Sequence, residues 1–268
     1  MDFGLPTLIE LKSLDDCAAL CKELDLQFVE LNMNLPEYQA DQIDADAFAE
    51  IAKRYGIYYT IHLDENLNPC DFNEKVACAY MDTVLQTIEL AKRLAIPVLN
   101  MHLSKGVYFT LPEKKVYLFD EYMDVYLAKL TAFRDFCEKA IGGAEIRICI
   151  ENADGYDREF LQRGLALLLE SKFFALTFDI GHNAGIGGGD EEIIMKHKNK
   201  LCHMHMHDAK GKSNHLPLGA GELDLPKYFY LADKQNCRVV LETKTVAGLK
   251  ESVEWIKTRG GRHDEDNI

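Results

Sequence analysis

Short apolar runs alternate with helix-like segments along the whole chain, and this alternation constrains the fold more than any other feature of the sequence. The strand-like runs lie near residues 2–8, 27–32, 57–62, 97–102, 146–151, 174–179, 201–207 and 238–242. Helix-like segments follow each of them, near 14–24, 45–55, 73–94, 120–140, 158–171, 191–197, 226–236 and 247–258. In the longest of these, Val76, Tyr80, Val84, Ile88 and Ala91 recur at three- and four-residue spacing. Strict alternation implies a parallel sheet, because each helix must cross back over the sheet before the next strand begins. Eight such units in 268 residues favour closure into a (β/α)8 barrel over an open sheet. No GxGxxG fingerprint follows the first strand, so the doubly wound alternative gains little.

No Gly-, Pro- or Ser-rich linker divides the chain, and 47% hydrophobic residues are ample for one large core. One barrel over residues 1–258 is expected, with a polar, frayed tail at 259–268. The net charge of −14 argues against nucleic acid as a partner, since phosphate binding relies on Lys and Arg. A basic rim or a bound metal can still reverse the field locally. The eight cysteines have no CxxC spacing, and no basic start precedes a long apolar core. Free, buried thiols in a reducing cytoplasm, with no membrane span, is the expectation.

Six of the strand-like runs end in, or carry, side chains that bind metals. They are Tyr58-Tyr59-Thr60-Ile61-His62, Val98-Leu99-Asn100-Met101-His102, Ile148-Cys149-Ile150-Glu151, Leu176-Thr177-Phe178-Asp179, Cys202-His203-Met204-His205-Met206-His207-Asp208 and Val239-Val240-Leu241-Glu242. A barrel of this kind carries its functional groups at the carboxyl ends of its strands. Glu151, Asp179, His205 and Glu242 come from four consecutive strands, so their side chains can converge on one mouth. Two glutamates, an aspartate and a histidine suit manganese, magnesium, cobalt or zinc.

His203, His205 and His207 alternate, so they share one face and stack in layers roughly 6–7 Å apart. One metal does not take all three. His203 is expected to be deeper and structural, and His207 to support the site or face the substrate. His182 follows in Asp179-Ile180-Gly181-His182, where the glycine permits a sharp turn over the mouth. His62 and His102 can serve a second metal bridged by Glu151, or hydrogen-bond a substrate's hydroxyls. His215 sits in a loop whose Gly219 and Gly221 let backbone approach a ligand closely. His197 and His263 read as surface residues. No Gly-x-Ser-x-Gly elbow is present, and the glycines at 185–189 lack the ending of a P-loop and read as a flexible loop over the site.

Together these residues resemble the xylose isomerase-like barrel superfamily, which includes sugar isomerases and epimerases, myo-inositol catabolism enzymes and apurinic endonucleases of the endonuclease IV type. The resemblance rests on Glu151 of Ile150-Glu151-Asn152, Asp179-x-x-His182, His205-x-x-Asp208, His215-x-x-x-Gly219-x-Gly221 and Glu242, in that order along nearly the whole chain. It implies that Glu151, Asp179, His205 and Glu242 hold one divalent metal in a sugar-converting member, with Glu151 and Glu242 as catalytic acid and base. His62, His102, His182 and His215 would then hold the substrate. In the endonuclease branch, positions matching His62, His102 and Glu151 hold a first zinc, and the set around His205 holds a second. A third uses those of His182 and His215 with an aspartate, where this chain has Ser213. The ketose 3-epimerases place an arginine near Asn214, and none stands in this loop.

The sequence therefore predicts a cytoplasmic, metal-dependent isomerase or epimerase of a sugar, sugar phosphate or polyol derivative. Its rivals are a metal-dependent hydrolase of the endonuclease IV type and a non-catalytic sugar-binding barrel. The lysines between Lys105 and Lys115 can meet a phosphate or form a solvated face. Oligomeric state and native metal are not legible.

Overall fold

The computed structural model describes residues 1–153 and 155–259. Eight strands form the barrel: β1 (Asp2–Pro6), β2 (Phe28–Asn32), β3 (Tyr58–His62), β4 (Val98–His102), β5 (Arg147–Glu151), β6 (Phe174–Asp179), β7 (Leu201–Met206) and β8 (Arg238–Leu241). All are parallel to their neighbours, in the closed order β1-β8-β7-β6-β5-β4-β3-β2. The main helices between them are α1 (Leu14–Glu23), α2 (Ala45–Tyr55), α3 (Glu74–Leu94), α4 (Met123–Ile141), α5 (Glu159–Leu169), α6 (Glu191–Lys196), α7 (Leu225–Lys234) and α8 (Val246–Arg259). The (β/α)8 barrel expected from the alternation is the architecture formed.

Local chemistry sets the boundaries. Ser13, Asp44 and Asn73 accept hydrogen bonds from backbone N–H groups in the first turns of α1, α2 and α3, satisfying donors that the helix leaves unpaired. Gly56 ends α2 in the left-handed conformation at φ 68°. Each strand divides its side chains by alternation. One set, including Val29, Leu31, Tyr59, Ile61, Met204 and Met206, joins the large core under the helices. The other set fills the barrel. Its upper layers are polar and buried, with Glu30, Thr60, Asn100, Thr177 and His203 below the residues of the mouth. Its floor is a separate apolar group of Val98, Cys149 and Ala175, with Cys202 packed against it.

Several details differ from the sequence reading. Val76 is exposed, and the buried stripe of α3 runs instead through Ala77, Val84, Ile88 and Ala91. The segment after β4 folds into an antiparallel hairpin, Tyr108–Thr110 with Lys115–Tyr117. A second hairpin pairs Asp208–Lys210 with Ser213–Leu216. All eight cysteines are free, as expected, but Cys78 is exposed and Cys202 only partly buried. His197 is partly buried rather than on the open surface. Arg259 closes α8, while residues 260–268, with His263 and most of the expected tail, lie outside the described residues. Among the described residues no helix is long and apolar enough to cross a membrane.

Candidate metal centre

The carboxyl ends of β3 to β8 deliver His62, His102, Glu151, Asp179, His205 and Glu242 to one mouth. Glu151, Asp179 and His205 are almost fully buried there. Glu242 lies just past β8, and its backbone N–H donates to the Met206 carbonyl, which fixes it beside β7. Nδ1 of His205 sits 3.5 Å from Glu151 Oε2, 3.4 Å from Glu242 Oε2 and 3.9 Å from Asp179 Oδ2. The four residues expected to hold a metal are thus brought together around a single nitrogen.

Neighbouring side chains fix each of these groups. Asn152 joins two strand ends: its Oδ1 accepts from the Asp179 N–H at 2.8 Å, and its Nδ2 donates to the Asp179 carbonyl at 3.0 Å. Asp179 Oδ1 also accepts from the His182 N–H at 2.6 Å, which caps the short helix Ile180–Gly185. Asn100 donates to Glu151 Oε2. Nε2 of His205 lies 2.9 Å from Glu30 Oε1, which leaves Nδ1 as the nitrogen that faces the mouth. Glu30 in turn accepts from Thr60 Oγ1 at 3.0 Å and faces His203 Nε2 at 3.2 Å.

The remaining histidines occupy two sides of this set. His62 Nε2 and His102 Nε2 are 3.4 Å and 3.3 Å from Glu151 Oε2. His182 Nδ1 lies 3.6 Å from Glu151 Oε1 and 3.7 Å from Asp179 Oδ2. His215, held in the left-handed region at φ 53°, sets its Nδ1 3.1 Å from the Glu242 carbonyl oxygen. His182, His207 and His215 form a further close group of nitrogens on that side. Within it, the His215 backbone N–H donates to His207 Nδ1 at 2.8 Å, leaving the His207 proton on Nε2, 3.2 Å from Asp179. Both ring nitrogens of His207 are therefore engaged, and the residue orients Asp179. His203 is fully buried between Glu30 and Thr177, as the sequence suggested.

Two expectations about glycines are corrected. Gly181 has no positive φ. It is required because a Cβ there would stand 1.9 Å from His207 Cε1, so close approach rather than a sharp turn is the reason for glycine. The backbone at Gly219 and Gly221 does approach an anion closely, but the anion belongs to the protein. Asp208 accepts from the N–H groups of Ala209, Gly219, Gly221 and Leu223 at 2.9–3.1 Å.

The electrostatics of the mouth are a balance of buried opposites. Burial would raise the Glu151 carboxyl, but His205 and His102 outweigh it and hold the group well below the usual carboxylate range. Burial is the largest single influence on His62 and His182 and opposes protonation. Nearby carboxylates, Glu151 with Glu30 at His62 and Glu151 with Asp179 and Glu242 at His182, together outweigh it and lift both to about 9. Burial likewise disfavours a charge on His205, and Glu151, Glu30 and Glu242 more than offset it. Burial lowers His215 to about 4, so that imidazole stays neutral.

Several buried polar atoms at the mouth have no hydrogen-bond partner: His205 Nδ1, Glu242 Oε2, His102 Nε2 and His182 Nδ1. Such atoms are costly when left bare. A hard divalent cation among Glu151, Asp179, His205 and Glu242 would satisfy the first two, so the donor set fits one. Above it opens a cavity of about 430 Å³ lined by His62, His102, His182, His215, Asn66 and Lys244. Glu30 and Lys244 were not anticipated. Glu30 lay mid-strand, where a search of strand ends misses it, although a lone carboxylate at an inward position of an apolar strand was a usable signal.

Comparison with known proteins agrees with the fold. An uncharacterized protein of Methanocaldococcus jannaschii, MJ1614, is 23% identical over 96% of this chain and 98% of its own. A D-tagatose 3-epimerase-like protein superposes with a TM-score of 0.76 at 23% identity, covering 96% of both chains. The IolI protein, solved with a zinc atom, gives a TM-score of 0.71 at 16% identity, again over 96% of both chains. The model of the xylose isomerase-like TIM barrel family matches residues 18–259, and the chain belongs to that family.

Proposed function

We propose that this protein is a divalent-metal-dependent isomerase or epimerase acting on a sugar, sugar phosphate or polyol derivative. The observation that carries the reading is the convergence of Glu151, Asp179, His205 and Glu242 beneath the open cavity, with His205 Nδ1 and Glu242 Oε2 bare. Its resemblance in fold to a D-tagatose 3-epimerase-like protein supports the epimerase class, and its resemblance to IolI, solved with a zinc atom, supports a metal.

A bound cation would polarise a substrate carbonyl and its neighbouring hydroxyl and stabilise the charge that develops when a proton leaves carbon. The side chains supply the rest. Glu151 and Glu242 rise from strands three apart around an eight-stranded barrel, so they approach the centre from nearly opposite sides. Glu151 is held ionised by His205 and His102 despite its burial and can accept a proton from carbon. Glu242, held ionised by His205 and Lys244 against its burial, takes a proton from solvent before returning one on the other face. Lys244 Nζ, 2.9 Å from Glu242 Oε1, screens its charge meanwhile. His62, His102, His182 and His215 present ring nitrogens along the cavity wall, where they bind and orient hydroxyls.

Two features favour a multi-metal hydrolase: the approach of His62 and His102 to Glu151, and the group formed by His182, His207 and His215. The fit of the second is weakened by the engagement of both His207 nitrogens. A panel of ketoses, keto-inositols and abasic-site DNA with manganese or zinc tests the choice, with metal content measured alongside. One metal per chain with solvent deuterium entering a sugar is the expected result. Three zincs with strand cleavage and no exchange would overturn it.

A further inference from the structure

The floor of the barrel carries chemistry that the mouth does not use. We propose that Cys149 on β5 and Cys202 on β7 form a reversible dithiol–disulfide couple, oxidised by hydroperoxides that arrive through the barrel's amino-terminal end.

The placement of Cys202 is the first argument. Leu176 pairs with Leu201 and Thr177 with His203, so Cys202 is the extra residue of a bulge between β6 and β7. Simple alternation back from His205 and His203 would turn Leu201 into the barrel and Cys202 out towards the helices. The bulge reverses that: Leu201 packs in the outer core, and Cys202 meets Val98, Cys149 and Ala175 inside. Bulges are a recurrent device for re-aiming a side chain.

The second argument is the gap the thiols share. Cys149 pairs in register with Ala175 on β6, the strand between β5 and β7. Alanine presents only a methyl there, and the two sulfurs meet beside it at 3.4 Å. Bonding needs them to close to about 2.05 Å, and because β6 separates the two strands by roughly two strand spacings, the backbones must also draw together. The bulge supplies a strand segment whose ladder is already open at Cys202.

Access and reactivity complete the case. A cavity of about 510 Å³ opens at this end, with Arg147, Lys172 and Arg238 among its walls. Neither cysteine lines it, so access rests on the part of Cys202 that is exposed. Cys149 is fully buried and Cys202 only partly, so an oxidant reaches Cys202 first. A hydrogen bond from the Cys149 thiol, aided by Arg147 and Arg238, holds the Cys202 thiol below its usual range against burial.

The Cys202 thiolate attacks one oxygen of the peroxide; the O–O bond breaks, and the leaving hydroxide takes a proton to become water. The resulting sulfenic acid is attacked by the Cys149 sulfur as its thiol proton is lost, and a second water leaves. In sum, two thiols and one hydrogen peroxide give one disulfide and two waters. A small thiol such as dithiothreitol restores the reduced form by exchange.

The experiment treats the full chain with hydrogen peroxide, blocks remaining thiols with iodoacetamide and maps peptides by mass spectrometry. Exposed Cys78 serves as the internal control. A Cys149–Cys202 linked peptide, lost on adding dithiothreitol, is the expected result. In Cys149→Ser and Cys149→Ala, dimedone should trap a sulfenic acid on Cys202, with wild-type thermal melting confirming the fold. The proposal is overturned if both thiols stay alkylatable while Cys78 is oxidised, or if the sulfenic acid maps to any buried cysteine other than Cys202.

Discussion

Glu30 Oε1 lies 2.9 Å from Nε2 of His205, across the barrel from β2 to β7. This contact decides which imidazole nitrogen faces the mouth. The acidic neighbours favour the charged imidazole, so a cation would displace the proton on Nδ1 while Glu30 faces the one on Nε2.

Glu30→Gln should therefore weaken metal binding while leaving every direct ligand in place. A loss of about 10–100-fold in affinity is expected, as for other groups that orient a ligating histidine. Titration calorimetry with manganese or zinc measures it. Unchanged affinity would mean that His205 holds its orientation without Glu30.

A different test concerns packing behind the site. Gly181→Ala places a methyl 1.9 Å from His207 Cε1 and 2.3 Å from its Nδ1. His207 cannot easily yield, since the His215 N–H and Asp179 grip both nitrogens. The expected cost is about 1–3 kcal/mol of stability, typical of overpacking. Adding His207→Ala removes the obstacle, so the double variant should melt no lower than His207→Ala alone. Additive losses would show that the clash is relieved elsewhere.

The barrel was legible because alternation of strand and helix is written in residue type at every unit. The mouth was legible for the same reason, since a strand end is a fixed place in this architecture. What escaped was anything set by distance across the barrel. Glu30 was hidden because its partner His205 lies far away in sequence on a strand that is not its neighbour. The glycines at 219 and 221 were correctly read as places of close backbone approach, but the group they approach, Asp208, could not be deduced from spacing. The bulge at Cys202 shifts one residue without any Gly or Pro to announce it.

Metal and protons should compete for the mouth. His62 and His182 are lifted to about 9, so both are protonated at about pH 7 when no cation is bound. Their pairing with Glu151 stabilises the metal-free fold fully below their unfolded value of about 6.5, and that contribution is lost as pH rises through about 9. A cation placed beside Glu151 disfavours these protons, so binding should release protons and tighten as pH rises towards that range. Two measurements follow. Indicator-dye titration in weak buffer should record proton release on adding manganese. Melting of the chelator-treated protein should fall between about pH 7 and pH 10, with the drop reduced when manganese is present. No proton release would contradict the assigned charges.

Asp208 gives the last test, because its carboxylate organises the loop that carries His215. Its Oδ1 accepts from Ala209 and Leu223, and its Oδ2 from Gly219 and Gly221. Gly221 is tied to this arrangement, since a Cβ there would stand 2.2 Å from Asp208 Oδ1. Asp208→Asn keeps the shape but leaves one acceptor oxygen, so an amide donor must face two backbone donors. A loss of roughly 1.5–3 kcal/mol is expected, in the range of hydrogen bonds to a charged group. The damage should be local: amide exchange at Gly219 and Gly221 should quicken, while that of Asp179, which is held by Asn152, should not. His215 would lose its fixed approach to Glu242, so the KM for a turned-over sugar should rise more than kcat falls. Metal affinity should change less than in Glu30→Gln, because no ligand of the primary set depends on this loop alone. Equal quickening of exchange at Asp179 would show that Asp208 supports the whole mouth instead.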